Sequence, residues 1–247
     1  MTPRILVTAP TLDPAGQRLL DGAGVETYHA KPDEELERVV AKWEPHGIIS
    51  RTRALPEAVI GAGMNLQAIV KHGAGVNNID LAAASDRGIP VFSTPGANSL
   101  AVAEYTIALM FAVVRHIPRF DRDVRAGSWD RPGDGRQLAG MNLGLVGYGR
   151  IARRVARVAG CIGMRVAAYD PFVDRDAARR AGVEMCGSLD ELLAHADMLS
   201  LHCPAERGAP PLIDAARIAL LPRGAFVVNT ARGELIDEDA LAAALEN

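Results

Sequence analysis

The sequence predicts an α/β protein made of two doubly wound parallel sheets, on three observations. Short apolar runs with strand character alternate with helical stretches along the whole chain, the pattern of a parallel sheet with helices on both faces. Hydrophobic residues make up 49% of the 247 residues and aromatics only 4%, so the core is built of Ala, Val, Leu and Ile, which suits helices packed on a buried sheet. The stretch N-L-G-L-V-G-Y-G-R-I-A-R-R-V-A, from Asn142 to Ala156, reads as a strand, a glycine turn and a helix.

In order, Ile5 to Thr8 is a strand, and Asp13 to Leu20 a helix opened by Asp13 with Pro14 at its first position. Val25 to His29 is a strand and Asp33 to Trp43 an amphipathic helix. Gly47 to Ser50 is a strand, Pro56 to Ile60 a short helix, and Leu66 to Lys71 a strand ending in H-G-A-G-V-N-N-I-D. Pro90 to Ser93 is the fifth strand. Asn98 to Arg125 reads as one long helix bridging two domains, with Ala101, Val102, Tyr105, Leu109, Ala112 and Val113 as apolar positions. Ala126 to Gly140, with four glycines and a proline, is a loop. The alternation then resumes. Strands are expected at Leu143–Val146, Arg165–Tyr169, Met198–His202 and Ala225–Asn229. Helices are expected at Asp174–Arg180, Leu189–Ala194, Asp214–Leu220 and Glu238–Leu245, the second opened by Ser188 and Glu191 in capping-box spacing.

Gly147, Gly149 and Ala152 fill the three small positions of the dinucleotide fingerprint. Gly147 permits the tight turn, Gly149 lets a pyrophosphate reach the backbone, and Ala152 keeps the helix close to the sheet. The helix start presents N–H groups and the positive end of its dipole to phosphates. Asp170 follows the next strand, about 20 residues beyond the glycines, where a carboxylate accepts hydrogen bonds from the ribose hydroxyls of NAD and repels the extra phosphate of NADP.

A net charge of −3 gives no electrostatic reason to expect nucleic acid or an anionic membrane. Cys161, Cys186 and Cys203 show neither metal-ligand nor disulfide spacing, so no metal is expected and a reducing cytoplasm is the simplest setting. The N-terminus reads directly as a strand rather than a signal peptide, and the longest apolar run, Ile107 to Val114, is too short to span a bilayer.

Six blocks, in order, resemble the D-isomer-specific 2-hydroxyacid dehydrogenases, phosphoglycerate dehydrogenase-like members included. They are K-H-G-A-G-V-N-N-I-D (Lys71–Asp80), N-S-L-A-V-A-E-Y-T (Asn98–Thr106), L-G-L-V-G-Y-G-R-I-A (Leu143–Ala152), Y-D-P (Tyr169–Pro171), L-H-C-P (Leu201–Pro204) and V-N-T-A-R-G-E-L-I-D-E-D-A-L (Val228–Leu241). The resemblance implies a flavodoxin-like substrate domain over residues 1–98, in its N-terminal part, and a Rossmann NAD-binding domain over 99–247. It gives Arg232 the role of gripping the substrate carboxylate and polarising the 2-oxo group, a task suited to a planar, permanently charged guanidinium. It gives the backbone of Ala74, Gly75 and Val76 the substrate carboxylate, with Ala74 also near the nicotinamide. Arg150 and Ile151 cover the pyrophosphate and adenosine. His202, Cys203, Pro204, Thr230 and Ala231 lie on the cofactor side. A homodimer formed through the NAD-binding domain is also implied.

In the family a glutamate and a histidine that donates the proton follow the arginine, and the 247 residues end before either. The chain is therefore read as C-terminally incomplete, and two functions stay open. One is an NAD-dependent oxidoreductase interconverting a small D-2-hydroxy acid and its 2-oxo acid. The other is a catalytically incomplete NAD-binding protein, regulatory or a remnant, unless His72 or His202 stands in as the proton donor. Arg51 and Arg53 are weak pointers to an acidic or phosphorylated substrate.

Overall fold

The computed structural model describes residues 2–130, 133–206 and 208–246. The chain divides into two compact units, Met1–Asn98 and Ser99–Asn247.

The first unit runs β1 (Arg4–Val7), α1 (Pro14–Gly22), β2 (Glu26–His29), α2 (Leu36–Trp43), β3 (Gly47–Ser50), α3 (Glu57–Gly61), β4 (Ala68–Lys71), α4 (Leu81–Asp86) and β5 (Val91–Phe92). Its strands form one parallel sheet in the order β2-β1-β3-β4-β5, the doubly wound arrangement of flavodoxin type. Leu6, Ile48 and Ile69 stand side by side across three central strands and are fully buried, with Val40 and Ile60 packed over them. Asp13 caps α1 by accepting from Ala15 N at 2.8 Å. The helix expected from Asp33 begins only at Leu36. The Glu34 carboxylate instead accepts from Tyr28 Oη at 2.6 Å and Lys31 N at 2.7 Å, which holds the preceding residues in a turn. Sequence reading passed over α4, which opens with Asp80 accepting from Ala83 N.

The second unit runs α5 (Ser99–Val114), α6 (Ile117–Arg125), β6 (Asn142–Val146), α7 (Arg150–Cys161), β7 (Arg165–Tyr169), α8 (Arg175–Arg180), β8 (Glu184–Met185), α9 (Leu189–His195), β9 (Met198–Leu201), α10 (Ala215–Ile218), β10 (Phe226–Asn229), a single 3₁₀ turn (Gly233–Leu235) and α11 (Glu238–Leu245). Its parallel sheet has the order β10-β9-β6-β7-β8, the dinucleotide-binding arrangement in which strand order reverses beside the first strand. Two-residue β8 was also missed. Gly144 lets α9 close onto β6, since a Cβ there would sit 2.9 Å from Ala196 Cβ.

The long helix expected over Asn98–Arg125 is two helices, bent by 65° at Arg115–His116. Pro118 supplies the reason. It has no N–H for the Val114 carbonyl, and its ring would clash with that carbonyl in a continuous helix. Arg136 N takes the freed carbonyl at 3.1 Å, and His116 turns into the left-handed region at φ 51°. The buried stripe of α5 is Ser99, Ala103, Thr106, Met110 and Val114, while Tyr105 and Val113 face outward. Within the predicted loop, residues 131 and 132 lie outside the described residues. No single helix among the described residues is long and apolar enough to cross a membrane.

Candidate functional site

Because all five strands of the second sheet are parallel, the segments that follow them emerge along one edge. That edge gathers Gly147–Ile151 after β6, Asp170 after β7, His202–Pro204 after β9 and Thr230–Arg232 after β10. The reversal of strand order falls between β6 and β9, where the chain leaves the two strands in opposite directions.

Gly147 makes this crossing possible. Its φ is +86°, and a Cβ there would lie 2.9 Å from the His202 carbonyl oxygen and 3.0 Å from Cys203 N. Two backbones therefore touch where the crevice opens. Gly149 differs. Its φ is −80°, and a Cβ there would meet nothing within 4 Å. The space beside it is open, as a pyrophosphate would require. Gly149 caps α7, whose first intrahelical bond is Arg153 N to the Gly149 carbonyl at 3.0 Å, so the N–H groups of Arg150, Ile151 and Ala152 have no helical acceptor. Ala152 is fully buried, Ile151 half-buried and Arg150 exposed.

Asp170 is anchored by both oxygens. Oδ2 accepts from Tyr148 N at 2.8 Å, and Oδ1 from Phe172 N at 2.9 Å. The carboxylate thus stands against the glycine turn itself. Tyr148 is buried, and Arg153 lies over its ring at 5.3 Å while donating from Nε to its carbonyl at 3.1 Å.

Half-buried His202 places Nε2 2.9 Å from Ser200 Oγ, and its N–H bonds the Val146 carbonyl at 2.8 Å. Burial pushes its pKa down to about 4, so the ring is neutral at physiological pH. Burial also pushes the Cys203 thiol up, with Asp170 adding to it against one backbone hydrogen bond. Cys203 is therefore a protonated wall residue rather than a reactive thiolate. Pro204 is exposed beside it.

Thr230 Oγ1 lies 2.9 Å from Thr106 Oγ1. Thr106 donates its only hydroxyl proton to the Val102 carbonyl at 2.8 Å, so Thr230 donates to Thr106. Asn229 holds the next residues. Its Oδ1 accepts from Ala231 N at 3.0 Å and its Nδ2 donates to the Arg232 carbonyl at 2.7 Å. Arg232 is exposed, with NH1 2.7 Å from the Ala231 carbonyl.

Ala74, Gly75 and Val76 lie on the corresponding edge of the first sheet, after β4. Among the described residues, their N–H groups donate to no protein acceptor. Ala74 is exposed, and Val76 packs onto the core below. The Arg53 guanidinium donates to the Lys31 and Glu34 carbonyls, which ties it into the fold. Missed by sequence reading were Lys71, Asn78, Thr106, Ser200 and Asn229. Asn229 carries a readable signal, since a carboxamide bonding the N–H two residues on is a common Asx turn.

A cavity of about 480 Å³, walled by Arg115, Phe120 and Trp129, belongs to α6 and the loop after it rather than to either sheet edge. Among the described residues, no cluster of His, Cys, Asp and Glu could hold a metal ion.

Fold and edge together define a dinucleotide-binding α/β protein, and comparison narrows the class. A sequence profile described as the NAD binding domain of D-isomer specific 2-hydroxyacid dehydrogenase matches residues 107–247. D-3-phosphoglycerate dehydrogenase of Archaeoglobus fulgidus is 39% identical over 98% of this chain and 46% of its own length. Hydroxypyruvate reductase of Thermotoga maritima is 36% identical over 96% of this chain and 77% of its own length. Among solved structures, the TT0316 protein of Thermus thermophilus is similar with a TM-score of 0.88 at 35% identity, over 99% of this chain and 78% of that one. The apo-structure of D-lactate dehydrogenase from Escherichia coli is similar with a TM-score of 0.85 at 29% identity, over 99% and 78%. The chain belongs to the D-isomer specific 2-hydroxyacid dehydrogenase family, and NAD is its cofactor. It spans about half the length of phosphoglycerate dehydrogenase relatives such as that of A. fulgidus.

Proposed function

We propose that this chain carries the cofactor site and part of the substrate site of an NAD-dependent dehydrogenase acting on a small D-2-hydroxy acid and its 2-oxo acid. The observation that carries this reading is the edge of the second sheet, where the open Gly149 turn, the anchored Asp170 and the Asn229-held arginine loop emerge together. Bound there, NAD would supply the hydride acceptor. Arg150, Ile151 and Ala152 hold the pyrophosphate by their N–H groups, Asp170 the ribose, and Cys203, Pro204, Thr230 and Ala231 the nicotinamide side. Arg232 binds the substrate carboxylate and polarises the 2-oxo group. Ala74, Gly75 and Val76 offer further N–H donors to that carboxylate. Arg51 remains the candidate for selecting acidic side chains.

The test is NAD-dependent oxidation of D-2-hydroxy acids by the purified gene product, with Arg232→Lys losing most of kcat/KM while NAD affinity stays unchanged. One observation favours the second reading, NAD binding without turnover. The neutral His202 is no proton donor near pH 7, so this edge does not supply that proton through it. NAD affinity without turnover in the gene product would support that reading.

Two further features are part of the proposal. Exposed Leu100, Tyr105, Phe111 and Val113 on α5, with Ile117 and Val124 on α6, support a homodimer formed through the second unit. Three free cysteines support a reducing, cytoplasmic setting.

A further inference from the structure

The loop after β4 is fixed by a carboxamide. Half-buried Asn78 accepts at Oδ1 from the Lys71 ammonium at 2.6 Å. Its Nδ2 faces Ser50 Oγ at 3.0 Å, the Arg51 carbonyl at 3.2 Å and the Arg53 carbonyl at 2.7 Å. Only this amide orientation fits, because its reverse sets a donor against an ammonium and an acceptor against two carbonyls. Lys71 also donates to the Arg51 carbonyl. Backbone bonds run alongside: His72 N to the Ser50 carbonyl at 2.8 Å, Leu55 N to the Asn78 carbonyl at 2.7 Å, and Asp80 N to the Leu55 carbonyl at 2.9 Å. Arg51 N in turn donates to Thr8 Oγ1 at 3.0 Å, so β1 is tied in as well.

Residues 50–55 and 71–80 are therefore laced together at the end of the sheet. Between Lys71 and Asn78, the two anchored side chains of the second segment, lie Ala74, Gly75 and Val76 with their unused N–H groups. A row of backbone donors binds an anion well only if the donors are already converged, because ordering them on binding offsets the gain. We propose that Asn78, acting with Lys71, is the positioning residue that converges these N–H groups on an acid carboxylate. The proposal rests on the reading of Ala74–Val76 as a carboxylate loop. It assigns affinity for the acid to a side chain that makes no contact with it.

The test titrates the ¹⁵N-labelled 247-residue chain with oxamate, an unreactive 2-oxo acid mimic, and follows the amides of Ala74, Gly75 and Val76. A separate NAD titration follows the amides of 149–152. The wild-type amides at 74–76 should shift saturably, and Asn78→Ala should weaken oxamate by about tenfold, the scale of one net hydrogen bond, with the NAD titration unchanged. Lys71→Met should weaken oxamate by about threefold, and it decides the matter if Asn78→Ala does not fold. Unchanged oxamate affinity in the folded variant, or equal loss of oxamate and NAD affinity, overturns the positioning role. Wild-type amides at 74–76 that ignore oxamate while 149–152 respond to NAD overturn the carboxylate reading itself, and the positioning role with it.

Discussion

The two sheets use the same doubly wound plan and finish their edges by opposite means. In the second unit the edge is shaped by missing side chains. Gly147 lets β6 leave against the backbone of His202, and Gly149 keeps the space before α7 open. In the first unit the edge is shaped by side chains. Thr8, Ser50, Lys71 and Asn78 lace the loops after β1, β3 and β4. One feature is shared, a parallel bridge between loops, Leu55 with Ile79 in one unit and Ile213 with Ile236 in the other. The contrast teaches that one edge is made by leaving room beside bare backbone and the other by holding loops still with side chains, as the proposed diphosphate and carboxylate sites would each require.

The sharpest way to break this contrast is to add one methyl group at each glycine. Gly147→Ala forces a non-glycine residue to φ +86° and drives its Cβ into the His202 carbonyl, so unfolding should come easier by about 4 kcal/mol in a denaturant titration. Gly149→Ala should leave that titration unchanged, because its Cβ meets nothing, and should lose NAD binding. Equal destabilisation by both would mean that the second edge is not built on space.

The next effect concerns pH. The pKa of His202 falls from 6.5 when unfolded to about 4 when folded, so the unfolded state binds the proton first as pH drops. Its contribution is complete above pH 6.5 and is lost as pH falls to 4, by up to about 3 kcal/mol. In His202→Gln this acid limb of the stability profile should flatten. In the first unit, Asn78→Ala should cost about 2 kcal/mol of stability through the unpaired carbonyls it leaves, read by the same titration. Smallest is Asp170→Asn, which keeps one backbone acceptor. It should fold with about 1 kcal/mol lost, and it should narrow the preference for NAD over NADP in a binding competition.

Much of this was legible in the sequence, and unevenly so. The alternation of strands and helices, the caps at Asp13 and Ser188, and the glycine turn were readable because each is a local pattern. At Ser188 the return bond differs from the expected box, since Glu191 accepts from Gly187 N at 2.6 Å rather than from Ser188 N. The break in the long helix was also local, carried by Pro118 four residues past the end of the apolar run at Val114. The first unit's edge was not legible. Asn78 reaches Ser50, Arg51 and Arg53, residues 25 to 28 positions away, and no short-range periodicity encodes such a meeting. Thr106 and Thr230 meet across 124 positions. The missing side chains of the nucleotide edge leave a mark in sequence, whereas the side-chain lacing of the other edge leaves it only in space.

The measurement that bears most directly on the central claim is calorimetric titration of NAD into the 247-residue chain and into Gly149→Ala. Saturable one-to-one binding by the wild type, lost in a variant that unfolds at the same denaturant concentration, is the predicted result. Binding of equal strength by both proteins, or none by the wild type, would contradict the assignment of the second sheet's edge as the NAD site.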